Sequence, residues 1–311
     1  MGDWPIIFTR FALYADLMLL FGLAAFGLYA LRGAERGPGG AIAFRPWLAG
    51  GAVAGLLLSA AGMLLLVAGM LGASPFEVDR ETFDMVATGT PVGKSWLVRV
   101  AMLGLALLAA FAAGRGPAAS LAAVALLSGV ALSTLAWTGH GAMDEGMIGW
   151  AHLGADILHL LASGIWIGAL IGLLLLVFRP LDRADAAHLR LSRRALDGFS
   201  TIGTVVVGTL LITGLVNGWL LVGPGHLLDM ATGLYGQLLL GKLALFVAML
   251  LLAALNRFRL TPAFAQALAT GDHQAALFTL RRSLAVETGC AVAILASVAW
   301  LGTLAPPASG L

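Results

Sequence analysis

The sequence predicts an all-α membrane protein, a polytopic bundle of eight transmembrane helices. Two observations lead to this fold class. Of the 311 residues, 60% are hydrophobic and only 11% are charged, and the mean hydropathy is +0.95, whereas soluble domains carry about 25% charged residues. The apolar residues also form long runs, and a helix needs about 20 such residues to cross the hydrocarbon core. Membrane lipid is therefore the predicted solvent of most of the chain.

The apolar runs follow one another along the chain with short polar connections between them. The predicted spans are 5–31, 45–71, 94–114, 117–139, 149–177, 194–220, 235–257 and 281–304. No connection is long enough for a soluble domain, so we interpret residues 1–311 as a single transmembrane domain. The first run lacks a basic segment and a cleavage site, which indicates a retained span rather than a signal peptide.

The distribution of charge predicts how the helices are oriented. Arginines cluster in the first, third, fifth and seventh connections, whereas the loops around His140 and His226 contain no Lys or Arg. The positive-inside rule places the arginine-rich connections in the cytoplasm and both termini outside. Tryptophans at the predicted outer helix ends agree with this orientation, because Trp favours the membrane interface; they are Trp4, Trp96, Trp137, Trp150, Trp219 and Trp300.

Several function classes have no support in the sequence. Neither GxxxxGK[ST] nor GxGxxG after a strand occurs, and no soluble portion exists to hold a nucleotide. The basic residues lie next to the spans and are explained by topology, so nucleic-acid binding is not expected. Cys290 is the only cysteine, which excludes an internal disulfide and any CxxC metal motif.

The fifth span carries the richest group of ionisable residues. His152, Asp156 and His159 stand at i, i+4 and i+7, on one face of one helix. Because a helix rises about 1.5 Å per residue, the two histidines are about 10 Å apart along the axis, too far to share one ion. The spacing predicts either two successive metal stations or one ligand whose partner imidazole is oriented by Asp156. A structural hydrogen-bond network between helices is the competing interpretation.

The connection before this span adds further metal-binding groups. His140, Met143 and Met147 lie within eight residues of one another, and imidazole together with thioether is the combination that Cu(I) favours. We therefore predict metal ligation by these residues together with those of the fifth span. Further candidates for an ion pathway lie in the first two spans: Asp16, Met18, Met63 and Met70.

Four other polar residues inside the spans are interpreted as structural. Lys242 can extend its ammonium group towards the membrane surface, and Glu287 is expected to pair with basic residues near the inner face. Arg99 and Asn217 are given the same interpretation.

Several segments, in order and at these spacings, resemble the copper resistance protein D family over most of the chain. They are the Gly-His-Gly-Ala run at 139–142, the segment 156–168 that begins Asp-Ile-Leu-His-Leu-Leu-Ala, the Tyr-Gly-Gln-Leu-Leu-Leu-Gly-Lys run at 235–242, and the segments 90–99 and 281–283. The resemblance implies an eight-helix protein of the bacterial inner membrane, a transporter rather than an enzyme. It implies copper transport between periplasm and cytoplasm, commonly import, with a periplasmic copper-binding protein as partner.

The same resemblance implies that copper binds as substrate at His140, His152, Asp156 and His159. Direction and oxidation state, Cu(I) or Cu(II), stay open at this point. Two other functions are compatible with the residues. A b-type membrane cytochrome also uses histidines on helices, although its axial ligands must face each other across the haem. A membrane scaffold that docks a periplasmic copper chaperone is the third possibility.

Overall fold

A computed structural model describes residues 4–112, 116–139, 146–179, 186–222, 233–270 and 274–305. All regular elements in these ranges are helical. The α-helices are α1 (Trp4–Ala30), α2 (Phe44–Leu71), α3 (Arg80–Gly89), α4 (Pro91–Phe111), α5 (Pro117–Ser133), α6 (Gly146–Val177), α7 (Ala186–Val222), α8 (Leu234–Leu255), α9 (Thr261–Thr270) and α10 (Gln274–Leu301). A 3₁₀ turn (Thr134–Thr138) extends α5, and a π-helical turn (Asn256–Leu260) joins α8 to α9.

Eight of these helical segments within the described ranges are long and apolar enough to cross a membrane. The predicted fold class, a polytopic all-α bundle, is therefore confirmed. The segments overlap all eight predicted spans, and the differences concern their ends. The seventh segment, for example, continues from α8 through α9 to Thr270. The interpretation as one domain stays a prediction.

The connection after α2 contains a short helix that the sequence analysis missed. α3 begins where the Asp79 carboxylate accepts a hydrogen bond of 2.8 Å from the backbone N–H of Thr82, which caps the first turn. It ends at Gly89, and Thr90 then caps α4 by accepting from the N–H of Gly93 at 2.9 Å. This helix is too short and too polar to span a membrane.

Helix α1 lies at the centre of the bundle and packs against α2, α5, α6 and α10. Its closest approach is to α6, where a β-carbon on Gly22 would overlap the backbone of Gly164 and Gly168. The three glycines allow the two backbones to touch. The position of α6 in the bundle is thus fixed by direct backbone contact.

Arginines at one end of the bundle cap the carboxyl ends of helices. Arg36 donates to the carbonyls of Gly27 and Leu28 at the end of α1, at 2.9 and 2.6 Å. Arg281 donates to the carbonyl of Val177 at the end of α6, at 2.8 Å. Cations at helix carboxyl ends satisfy free carbonyls and oppose the negative end of the helix dipole. These arginines therefore stabilise the fold as well as marking its orientation.

An ion pair at the same end joins the turn after α1 to α7. Arg194 donates to both carboxylate oxygens of Glu35, at 2.7 and 2.6 Å. Partial desolvation alone would raise the pKa of Glu35, but hydrogen bonds from the Arg194 side chain and the Arg32 backbone lower it below its usual value. Glu35 is thus held as a carboxylate at neutral pH.

Candidate metal pathway between helices α6 and α7

The three ionisable residues predicted on one face of the fifth span lie on α6. His152 is buried, with 1% of its surface exposed, and Asp156 and His159 are partly buried. Two of them form hydrogen bonds to α7, at Thr213 and Asn217. His159 lies three residues after Asp156 on α6, whereas its partner Thr213 lies four residues before Asn217 on α7. This is the register of two antiparallel helices. The polar face of α6 is therefore turned towards α7.

The hydrogen bond of His159 determines which ring nitrogen is free. Nδ1 of His159 lies 2.8 Å from the hydroxyl oxygen of Thr213. That hydroxyl donates its own hydrogen to the carbonyl of Thr209, at 2.7 Å, so it acts as the acceptor and His159 Nδ1 as the donor. Nε2 of the neutral ring then carries the lone pair, as a metal-binding imidazole requires.

Asp156 is held between three helices. Its Oδ1 accepts a hydrogen bond of 2.6 Å from the Asn217 amide on α7. A β-carbon placed on Gly139, after the 3₁₀ turn that extends α5, would lie 3.9 Å from its Oδ2. Lys242 on α8 and His152 interact with the carboxylate electrostatically. The carboxylate is therefore within electrostatic range of two basic residues, and its Oδ2 lies on the side of Gly139.

The same face of α6 continues to a second buried polar group. Trp166, seven residues after His159, donates from its indole N–H to Glu287 of α10 at 2.9 Å. The amide of Asn256 donates to the other oxygen of Glu287, also at 2.9 Å. Among the described residues, Glu287 thus has neutral partners, and the expected pairing with basic residues is wrong. These three residues are part of the lining of a cavity of about 280 Å³ between α6, α7, α8 and α10.

The other predicted site residues lie at several places in the bundle. Met147 is 89% exposed in the first turn of α6, and Met70 is 65% exposed near the end of α2. Met18 is buried in the core on α1, and Met63 is buried on α2. Asp16 faces α2, at Gly51 and Gly55, and not the α6–α7 interface. His140 and Met143 lie outside the described residues.

In the described ranges, no three His, Cys, Asp or Glu side chains converge on one point that could hold a metal. The assignment of His152, Asp156 and His159 as metal ligands along α6 stays a prediction. His159 and Asp156 each form a hydrogen bond to α7, so a haem inserted between α6 and α7 at these residues would have to break both bonds, which disfavours the haem interpretation.

The sequence analysis missed the residues that support the site. Thr213 was not considered, and Asn217, Lys242 and Glu287 were interpreted as purely structural. One signal was available on the seventh helix: Thr209, Thr213 and Asn217 recur every four residues and so form a polar stripe on one face.

Comparisons with known proteins agree on one family. Residues 1–150 match the family model described as Copper resistance protein D-like, N-terminal domain, and residues 193–301 match the model described as Copper resistance protein D. The chain is 48% identical over 307 residues to Copper resistance protein D of Pseudomonas syringae pv. tomato, with 98% of each chain covered.

More distant relatives cover the chain to different extents. Inner membrane protein YebZ of Escherichia coli is 28% identical over 307 residues, which is 96% of this chain and 98% of the relative. Copper transport protein CutJ of Bacillus subtilis is 34% identical over 122 residues, 39% of this chain and 21% of the relative. No solved structure matches the chain.

Proposed function

This chain belongs to the copper resistance protein D family, and we propose that it moves copper ions inward across the bacterial inner membrane along the polar face of α6. Membership in the family confirms the resemblance found in the sequence motifs. It also agrees with the prediction that the chain is not an enzyme, since this is a family of membrane copper resistance and transport proteins. The direction of transport, the route of the copper ion and its ligands are what we propose.

The observation that carries the proposal is the fixed orientation of His159. Its Nδ1 donates to Thr213, so its Nε2 lone pair is available to a metal inside the membrane span. Imidazole nitrogen is a good copper ligand. Asp156 lies one turn nearer the outer end of α6 and supplies negative charge, which favours a cation over an anion at this depth.

The proposed entrance is the outer end of α6. Met147 is exposed there, in the first turn of the helix, and His140 and Met143 are the further predicted ligands of this mouth. A periplasmic copper-binding protein would deliver the ion to these groups, after which His152, Asp156 and His159 follow one another inward. The exposed thioether and the imidazoles suit Cu(I), which favours soft ligands.

The proposed exit is the cavity beside Trp166. Its lining includes the carboxylate of Glu287, Arg257 and the side chain of Asn256, whose Oδ1 has no hydrogen-bond partner among the described residues. These oxygens can receive an ion that has left His159, about 10 Å further along α6. Because oxygen binds Cu(I) weakly, release towards the cytoplasm would be favoured.

Inward transport by this route requires both termini to be periplasmic. The helix-capping arginines Arg36 and Arg281 at one end of the bundle support this orientation, since basic residues favour the cytoplasmic side. A C-terminal reporter that is active only in the periplasm should give a signal, and a signal from its cytoplasm-specific counterpart would refute the orientation.

Copper uptake into proteoliposomes tests the function. We expect His159→Ala to reduce the initial rate of uptake strongly and Asp156→Asn to reduce it less, because Asn keeps the polar shape but loses the charge. Leu158→Ala, at a lipid-exposed position of the same helix, is the matched control and should transport normally. Copper binding at the outer mouth should survive in His159→Ala. Normal uptake by His159→Ala at equal protein insertion would contradict the proposed route.

A further inference from the structure

A second cavity lies away from the α6 pathway, at the end of the bundle where α1 begins. Its volume is about 230 Å³, and α1, α2, α4 and the turn after α5 surround it. Most of its lining is apolar, from residues such as Leu13, Leu66 and Val92. Two arginines, Arg10 and Arg99, are the charged residues of this lining.

Both arginines have buried nitrogens that find no hydrogen-bond partner in the part of the chain that the structure describes. Arg99 is 4% exposed, and the nitrogens concerned are its Nε and Nη1 and the Nε of Arg10. Among the described residues, no carboxylate forms an ion pair with either guanidinium. The ionisable group that acts electrostatically on Arg99 is the phenol of Tyr14, while Asp16 on α1 faces the glycines of α2.

A guanidinium without an anion is unfavourable at this depth. Arginine keeps its charge in proteins, so it cannot adapt to an apolar site by losing a proton. Its planar set of N–H donors matches oxyanions, and phosphate and carboxylate are the usual partners. Two such groups, one from α1 and one from α4, in the lining of the same cavity therefore indicate a site for an oxyanion.

We propose that this cavity binds a phosphate oxyanion, carried by a membrane phospholipid or by inorganic phosphate. Phospholipid fits the surroundings better in two respects. The cavity reaches Ile6 and Gly69, each two residues from a helix end, and so extends to the membrane interface. Arg10 lies six residues inside α1, about 9 Å along the axis. The apolar lining would then contact the glycerol and the first part of an acyl chain.

The test measures thermal unfolding of the full chain in a phosphate-free, non-ionic detergent. Short-chain phosphatidylglycerol and inorganic phosphate are added separately as probes. We expect the lipid to raise the midpoint of the wild type, and Arg99→Met and Arg10→Met to weaken its apparent affinity at least about tenfold. Arg99→Lys should show a smaller loss, because an ammonium group cannot bind two oxygens in the same planar way.

Arg45→Met is the control, since Arg45 lies at the opposite end of the bundle against the Phe111 ring. Without any probe, Arg99→Met should unfold at or above the wild-type midpoint, because it removes an unpaired buried charge. A response to inorganic phosphate and not to the lipid would assign the site to the free ion. The proposal would be overturned if the probes shifted the unfolding midpoint equally in the wild type and in both Met variants. It would also be overturned if Arg99→Met unfolded below the wild-type midpoint with no probe present.

Discussion

The hydrogen bond between Thr213 and His159 offers a sharp test of the proposed pathway, because it can be removed without touching a ligand. Thr213→Val keeps the shape of the side chain but removes the acceptor for His159 Nδ1–H. The ring nitrogen is then left unsatisfied at a buried position, which costs about 1–3 kcal/mol. The ring can also turn or change tautomer, so that Nε2 no longer presents its lone pair in a fixed direction.

The expected loss follows from this change. Removing the group that orients a metal-binding histidine typically weakens metal binding about 10–100-fold, and each tenfold step corresponds to about 1.4 kcal/mol. We therefore expect the initial rate of copper uptake into proteoliposomes to fall by about 10–100-fold in Thr213→Val. Thr213→Ser restores the hydroxyl and should recover most of the rate.

The control for this experiment is Thr279→Val. Thr279 is an exposed threonine of α10 whose hydroxyl bonds only within its own helix, to the carbonyl of Ala275 at 3.0 Å. It should leave uptake unchanged, and thermal unfolding of all three variants should show that they fold. If Thr213→Val transports copper at the wild-type rate while properly folded, the orientation of His159 does not matter and the argument for this pathway fails.

Three further changes test other parts of the structure. Glu287→Gln should fold, because the Asn256 amide can rotate to accept the new N–H, but it should slow uptake; uptake at the wild-type rate would remove Glu287 from the route. Glu35→Gln should lower the free energy of unfolding by about 0.5–1 kcal/mol at neutral pH. This difference should vanish in acid, because the lowered pKa of Glu35 gives stability that is lost when the carboxylate is protonated. Chemical unfolding measures both values, and a difference that is the same in acid would contradict this reasoning. Gly168→Ala should destabilise the protein by about 1–3 kcal/mol, because the added methyl group would overpack against α1. Gly154→Ala is the control, and it should be neutral or stabilising because there is open space around Gly154. Equal unfolding midpoints of the two variants would show that α1 and α6 do not touch.

The membrane spans could be predicted because each is determined by local composition. An apolar run of sufficient length crosses the bilayer whatever its neighbours are. Helix α3 could not be found in this way, because it depends on caps at Asp79 and Thr90 rather than on hydropathy. The close approach of α1 to α6 could not be predicted, because nothing in the sequence identifies Gly22 as the partner of the α6 glycines.

The candidate site shows the same limit more clearly. One face of α6 follows from helical periodicity, so His152, Asp156 and His159 could be grouped from the sequence alone. Their partners depend on which helix lies opposite and in which register, and a single sequence does not contain this information. Glu287 illustrates the consequence: its basic neighbours in the sequence suggested an ion pair, whereas the fold supplies Trp166 and Asn256 instead.

The proposed stations along α6 each offer few ligands, which suits transport rather than storage. A site that encloses an ion with a full set of ligands releases it slowly, so a pathway needs stations that bind weakly enough to be left. His159 offers one nitrogen to an ion, because the other is hydrogen-bonded to Thr213. The Asp156 carboxylate accepts a hydrogen bond from Asn217 and interacts electrostatically with Lys242. On the proposed route, each hydrogen bond to α7 therefore has two effects. It holds the side chain in place for the ion, and it reduces the number of atoms that can retain it.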